Sequence, residues 1–150
     1  MTDKNGIEIK TGMIVEITGA YFKSDNGFYF VAAAPGDPGW YGRDYSLRKI
    51  SKRGKVSTAK NSIGFWPIFV TVGGAFKAAE ARNWNREHAA IEVKAIENMA
   101  EVAGYFREKA AGLVEQINRL AWDFGEGSPV VADHRKIAAF YEAVAQSIEA

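Results

Sequence analysis

The residues best suited to proton transfer or metal binding near neutral pH are two histidines, His88 and His134. Neither has a second histidine three or four residues away, the spacing that a helical metal pair needs. His88 has Glu92 four residues on, a spacing typical of a surface pair on a helix. The chain has no cysteine, which excludes thiolate metal sites and a cysteine nucleophile. We therefore predict no catalytic residues, no metal, no cofactor and no enzyme activity.

Phosphate-binding and nucleophile motifs are also missing from the sequence. It contains no glycine-rich loop followed by Lys-Ser/Thr and no Gly-x-Ser-x-Gly elbow. Gly73-Gly74 precedes a helical segment and could bind an anion at the helix N-terminus, or serve only as an interdomain joint. Residues 24–27 (Ser-Asp-Asn-Gly) lack the spaced downstream acids of a calcium loop and predict a turn instead.

Aromatic and basic residues indicate binding rather than catalysis. Residues 21–30 place five aromatic rings around one polar turn, and the segment from Arg43 to Lys60 holds seven basic residues and one acid, Asp44. Such a cluster could attract phosphates or an acidic protein surface, or it could be a solvated hairpin whose cations protect an edge strand. The predicted partner-binding residues are Tyr21, Lys23, Tyr29, Trp40, Tyr41, Arg43, Tyr45, Lys49, Lys52, Arg53 and Lys55.

Two details of these aromatics are predicted from local pattern. Trp40 follows the break Pro35–Gly39 and is either an anchor over the mouth of a barrel or a binding residue. Strand alternation places Phe28 and Phe30 on one face, which we expect to be the core, and Tyr29 on the outward face. One of Tyr21 or Phe22 is expected to face outward with it.

The first half of the chain has the pattern of short strands joined by turns. Strands are predicted over 13–18, 28–31, 45–50, from Val56, and over 63–72, where Pro67 favours an edge or a bulge. This spacing predicts a five-stranded SH3-like β-barrel over residues 1–73. Residues 75–88 favour a helix, and residues 89–93 either continue it or form a short strand that returns to the barrel.

The second half, residues 74–150, has helical periodicity. A second helix, from about residue 131 to 149, is predicted to fold back on a long first helix as a hairpin, so the fold class is α+β. The second helix covers about two-thirds of the apolar seam of the first, so the end of the seam from Ile96 to Ala103 needs another partner, either the barrel or a second copy of the chain. A second copy would make a homodimer, and the predicted dimer or helix-packing residues are Ile96, Met99, Ala103, Phe106 and Leu113. The apolar seam over 96–124 has coiled-coil spacing and consists of Ile96, Met99, Ala103, Phe106, Ala110, Leu113, Ile117, Leu120 and Phe124.

Composition and charge limit the function classes. The chain of 150 residues is 47% hydrophobic, carries a net charge of +1, and has no apolar run of membrane-spanning length. The N-terminus lacks the apolar core of a signal peptide, so we expect a cytoplasmic protein with no membrane partner. Residues 1–70 carry ten Lys/Arg and six Asp/Glu, whereas residues 71–150 carry nine and twelve.

Two resemblances add context. Residues 12–31 (Gly-x-x-Val-x-Ile-x-Gly, a Lys, then Gly-x-x-x-Val) resemble the KOW pattern of SH3-like barrels in ribosomal and transcription proteins, many of which bind RNA. Residues 12–93 resemble small phage and mobile-element proteins of gut Firmicutes. The segments that carry this second resemblance are 24–31 (SDNGFYFV), 35–40 (PGDPxW), 44–50 (DYSLxKI), 57–60 (STAK), 65–67 (FWP) and 84–93 (WNxEHAxIEV).

These features predict two functions. The mobile-element resemblance implies a non-enzymatic inhibitor of a host defence system, of the anti-CRISPR type, that binds a host protein effector such as a CRISPR nuclease. The alternative is a nucleic-acid-binding module whose basic hairpin contacts phosphates while exposed aromatics stack on bases.

Overall fold

The computed structural model describes residues 2–19, 23–40, 45–57, 62–65 (backbone only) and 90–150. The chain divides into two compact units, Met1–Asn98 and Met99–Ala150. Among the described residues, the first unit contains strands and a short 3-10 turn and the second contains two helices, so the α+β class is confirmed. No helix in the described ranges is long and apolar enough to cross a membrane.

The first unit is built on a five-stranded antiparallel sheet. Its strands are β1 (Ile14–Thr18), β2 (Gly27–Ala33), β3 (Tyr45–Ile50), β4 (Ser62–Phe65) and β5 (Ala90–Lys94), in the order β4-β3-β2-β1-β5. The segment that the sequence left open between helix and strand is therefore a strand, β5, which pairs with β1. Because β5 joins this sheet, the first unit extends beyond the predicted boundary at residue 73.

The sheet is open in the part of the chain that the structure describes. β4 and β5 are the two ends of the strand order, and no pairing among the described residues joins them. The closed SH3-like barrel therefore stays a prediction. The predicted helix over 75–88 and the Gly73-Gly74 joint lie outside the described residues.

The main core of this unit lies on one face of the sheet. Val15 and Ile17 of β1, Val31 of β2, Leu47 of β3 and Ile91 of β5 have no measurable exposure and pack together. Val15 and Ile17 share this face because they are two residues apart, and the strand register sets Ile91 opposite Ile17 and Leu47 opposite Val31. Ile9, Tyr29, Ala34 and Tyr45 complete this cluster.

β2 is buried on both faces. Tyr29 belongs to the main core at 4% exposure, and Phe30, on the opposite face beside Ile14, is fully buried. The expectation that Phe30 is core is confirmed, and the expectation that Tyr29 faces outward is wrong. Alternation separates the two faces of a strand but does not say which face is covered, and in β2 both are covered.

The second unit is an antiparallel helical hairpin. Helix α1 (Ala100–Phe124) and helix α2 (Pro129–Glu149) are joined by a turn in which Gly125, at φ 87°, donates its N–H to Ala121 O. Pro129 occupies the first turn of α2, where its missing N–H leaves no helix bond unmade. The predicted hairpin is confirmed, but α1 begins at Ala100, so Ile96 and Met99 precede it.

The seam of α1 packs within the chain. The Phe106 and Tyr141 rings stack with centroids 6.2 Å apart, and Leu113 packs beside Ile117 against Val131. Ala103 is fully buried as well. The two helices hold 25 and 21 residues, and the homodimer through this seam stays a prediction.

Candidate polyanion-binding surface

The aromatic turn and the basic hairpin of the sequence meet at one end of the sheet. The pairing of β2 with β3 sets Phe28 opposite Ile50 and Tyr29 opposite Lys49. The turn that precedes β2, a 3-10 turn at Lys23–Asp25, therefore lies beside the hairpin that follows β3. Two features that are about 25 residues apart in the chain form one surface.

Two lysines tie this surface together. Lys49 Nζ donates a hydrogen bond of 2.8 Å to Ser24 O and lies 5.9 Å from the centroid of the Tyr29 ring. Lys52 Nζ lies 5.5 Å from the centroid of the Phe28 ring. An ammonium over an aromatic face is attracted by the negative face of the ring. These contacts hold both charges above β2.

The hairpin itself has a defined backbone. Ser51 N donates to Lys55 O at 3.0 Å, Lys55 N to Ser51 Oγ at 3.1 Å, and Gly54 N to Ser51 O at 2.9 Å. Gly54 is buried at φ 88°, and a Cβ on it would lie 2.0 Å from Asn98 O. The basic hairpin is thus closely packed on the backbone of Asn98. This contact fixes the position of the backbone from which its basic side chains extend.

The charge of this surface is one-sided. Residues 45–57 contain five Lys/Arg and no Asp/Glu. Lys23, Lys49, Lys52, Arg53 and Lys55 are all exposed, and Phe28 is half-buried among them. We call these six residues the basic patch. Pre-positioned cations around an aromatic ring suit a chain of phosphates or a carboxylate-rich protein surface.

The other predicted site residues are placed elsewhere. Trp40 follows the Ala33 end of β2 and is therefore at the opposite end of the sheet from the basic patch. Its loop is braced by Asp37, whose Oδ2 accepts hydrogen bonds from Thr11 Oγ1 and from Ala34 N. Trp40 is half-buried, and its backbone N–H donates a hydrogen bond to Asp37 O. Tyr21, Tyr41 and Arg43 lie outside the described residues.

Tyr29 and Tyr45 are core residues and are not available for stacking on a partner. Their exposed fractions are 4% and 5%. Burial, with a smaller contribution from the negative charge of Asp25, raises the pKa of Tyr29 to about 12. Burial, followed by Glu8 and Asp37, also raises the pKa of Tyr45. The Tyr29 hydroxyl donates to Asp25 O at 2.8 Å, which stabilises the turn beneath Lys23.

Phe28 is the residue of the basic patch that sequence reasoning assigned to the core. Its partner across the strands, Ile50, is 3% exposed, whereas Phe28 itself is half-buried. The signal available in the sequence was its place next to Gly27, at the start of the strand. Residues at the start of this strand are covered less than those at its centre.

A second exposed feature lies on the helical hairpin. Trp122 and Phe124 are 90% and 66% exposed, and Val130 is 45% exposed. Phe106 faces Tyr141, and the same antiparallel register places the start of α2 level with about residue 119 of α1. The last turn of α1 therefore extends past α2. We call Trp122, Phe124 and Val130 the apolar tip; Phe124 does not pack in the seam as predicted, and Trp122 lies off the seam spacing.

The helical hairpin also carries an open groove of about 300 Å³. The groove is lined by Gln116, Arg119, Leu120, Asp123 and His134. His134 Nδ1 lies 2.8 Å from Val130 O. Because a carbonyl oxygen only accepts, Nδ1 is the protonated nitrogen and its N–H donates a hydrogen bond to this oxygen. Across the residues described, no three His, Asp or Glu side chains come together as a metal site. His88 lies outside those residues.

No family model, no curated protein and no solved structure matches this chain. The geometry of the basic patch and of the apolar tip therefore carries the functional argument.

Proposed function

We propose that this chain is a non-enzymatic binding protein that holds the phosphate backbone of a nucleic acid on its basic patch. The observation that carries the proposal is the register of β2 and β3, which brings Lys23 to the hairpin cations Lys52, Arg53 and Lys55. Phosphate contacts release condensed counterions, and this release supplies most of the affinity of such surfaces.

The arrangement supports single-stranded nucleic acid more than a duplex. Phe28 stands half-buried at the centre of the patch, with Lys52 over its face. A base that displaced the Lys52 ammonium would stack on this ring, while the ammonium moved to the neighbouring phosphate. Stacking of a base on an aromatic side chain contributes about 1–3 kcal/mol and requires an unpaired base.

Binding measurements at several salt concentrations test the proposal. Fluorescence anisotropy with labelled single-stranded and duplex oligonucleotides gives the slope of log affinity against log salt. The triple variant Lys52→Ala/Arg53→Ala/Lys55→Ala removes three phosphate contacts. We expect the magnitude of this slope to decrease by about 2–3. The matched control, Lys109→Ala/Arg119→Ala/Lys136→Ala, removes the same charge from the helical hairpin and leaves the slope unchanged. An absence of binding to either oligonucleotide at low salt overturns the proposal.

The apolar tip supports a second function, an inhibitor of a host defence effector encoded by a phage or mobile element. A tryptophan that is 90% exposed is a typical anchor for a pocket on a partner protein. In this proposal the partner is a protein effector, such as a CRISPR nuclease in the host cytoplasm, and the chain acts without chemistry of its own. The mobile-element resemblance of residues 12–93 motivates this choice of partner.

Cleavage assays with CRISPR nucleases of several types test this second proposal. Inhibition by the wild-type chain that is lost with Trp122→Ala supports it. Val114→Ala is the matched control, because Val114 is 50% exposed on the same helix and lies away from the tip. If no nuclease is inhibited by a large molar excess of the chain, the CRISPR version of the proposal fails.

A further inference from the structure

The outer edge of β5 is closed by the N-terminal turn at Thr2–Glu8. Thr2 and Glu8 form an antiparallel bridge, and Lys4 N donates to Ile91 O at 3.1 Å. The second contact comes from a side chain, because Asp3 Oδ2 accepts the N–H of Val93 at 2.8 Å. A carboxylate thus takes the place that a backbone carbonyl of a sixth strand would hold.

Asp3 is committed to this arrangement. The residue is 4% exposed, and its Oδ1 accepts the N–H groups of Asn5 and Ile7, both at 2.9 Å. Burial acts to raise the pKa of Asp3, but the hydrogen bonds from Val93, Ile7 and Asn5 outweigh it and lower the pKa below its usual value. One side chain therefore both shapes the turn and attaches it to the sheet.

The edge beneath the turn has the pattern of a pairing strand. Ile91 O and Val93 N form hydrogen bonds with the N-terminal turn, so the backbone groups of these two residues point away from β1. The backbone groups of Ala90, Glu92 and Lys94 point toward β1. Residues 91, 93 and 95 would donate and accept in a ladder with a further strand. The N-terminal turn forms hydrogen bonds with only one carbonyl and one N–H of that set. A full strand would bond more of these groups, so it could compete with the turn for the β5 edge.

The charges of β5 select its partner. In an antiparallel pairing of β5 with itself about Val93, Glu92 stands opposite Lys94 of the second copy, and Lys94 opposite its Glu92. In the single chain Glu92 Oε2 lies 2.9 Å from Lys4 Nζ and 3.3 Å from Lys94 Nζ. Release of the turn removes Lys4 from Glu92, and the second copy supplies a lysine in its place.

We propose that the β5 edge is a self-association site, which the Asp3 turn holds closed and which pairs with the β5 edge of a second copy when the turn is released. The two-fold axis passes through Val93, and the two sheets join into one continuous antiparallel sheet. The contact is isologous, so it closes at a dimer. The inference is independent of what the basic patch binds, since that patch is built from β2, β3 and the turns beside them and contains no residue of β5.

Molar mass by light scattering at tens of micromolar tests the proposal. We expect a wild-type monomer and a dimer for Asp3→Ala, because this variant loses the acceptor for Val93 N. Asp37→Ala is the matched control, because it removes another carboxylate that braces a turn but leaves β5 covered. A folded Asp3→Ala monomer overturns the proposal.

Charge reversal tests the register. Adding Lys94→Glu to Asp3→Ala places like charges opposite each other and returns the chain to a monomer, whereas adding Glu92→Lys as well restores the dimer. A dimer that persists unchanged in the Asp3→Ala/Lys94→Glu chain contradicts the proposed register.

A cross-link tests the same axis without relying on Asp3→Ala folding. The chain has no cysteine, and in a hydrogen-bonded antiparallel pair the two Cα atoms lie about 5.5 Å apart, within disulfide range. Val93→Cys in the otherwise wild-type chain therefore forms disulfide dimers slowly under mild oxidation, as the turn opens, and faster with Asp3→Ala. Ser57→Cys, on an exposed position away from the axis, is the control. No cross-link in either background overturns the proposal.

Discussion

The ammonium of Lys49 donates a 2.8 Å hydrogen bond to the carbonyl oxygen of Ser24, 25 residues earlier in the chain. This contact joins the turn before β2 to the strand that carries the basic hairpin. It also places the charge beside the Tyr29 ring, at 5.9 Å. A lysine with an internal partner is held in one position, so less side-chain entropy is lost when a phosphate binds it.

Replacing Lys49 by methionine separates its structural and binding roles. Lys49→Met keeps the apolar stem over Tyr29 but loses the ammonium. Because the side chain is exposed, we expect the free energy of unfolding, measured in urea, to change by less than about 1 kcal/mol. If Lys49 contacts phosphate, the salt slope of nucleic-acid binding falls by about 1. A changed stability with an unchanged slope would assign Lys49 a structural role only.

The hairpin position is tested at Gly54. Gly54→Ala forces a Cβ to within 2.0 Å of Asn98 O at a φ of 88°, so backbone has to move. We expect a loss of about 2–4 kcal/mol in the free energy of unfolding. Gly36→Ala is the matched control, because its φ of 92° is equally unfavourable but nothing lies within 4 Å of the added Cβ. Equal losses for the two variants would show that the hairpin does not pack on Asn98.

Burial of Tyr29 has a measurable effect on stability. Tyr29→Ala should lower the free energy of unfolding by about 3–5 kcal/mol, as should Phe30→Ala, since both side chains are buried. Tyr29→Phe removes only the hydrogen bond to Asp25 O and should lower it by about 1 kcal/mol. Chemical denaturation measures all three, and a Tyr29→Ala variant as stable as wild type would place this ring at the surface.

The raised pKa of Tyr29 also predicts an alkaline transition. A folded pKa of about 12 lies above the ordinary value of 10.0, so the folded chain holds this proton more tightly than the unfolded chain. The stability that results is present below pH 10 and is lost as pH rises toward 12. Melting temperature followed across this range should fall more steeply for the wild type than for Tyr29→Phe, and parallel curves would contradict the assignment.

Asp3 predicts the opposite behaviour in acid. Its pKa in the folded chain lies below the ordinary value of 3.8, because three backbone N–H groups favour the charged form. The stability it contributes is therefore present above about pH 4 and is lost as pH falls through the folded pKa. The protection factor of the Val93 amide, its exchange rate relative to the intrinsic rate at the same pH, should fall below this pH. Asp3→Asn should show faster exchange at neutral pH and no further acid step at this amide.

Local pattern was sufficient for much of the fold. The two-residue period and the turn residues located β1, β2 and β3, and the four-heptad seam located the helical hairpin that pairs Phe106 with Tyr141. The presence of five Lys/Arg and no Asp/Glu in residues 45–57 indicated the basic hairpin. These properties depend on residues that are near one another in the chain, and the sequence displays them directly.

Tertiary pairing decided the rest. Alternation could not say that Tyr29 is core, because it separates the two faces of β2 without showing that both Tyr29 and Phe30 are covered. Composition could not show that Lys49 reaches Ser24, or that Asp3 closes an edge formed 90 residues later by Val93. Each of these contacts is a choice of partner and register among distant segments. The physical reason is that such choices depend on which apolar surfaces meet, and a local period carries no information about that.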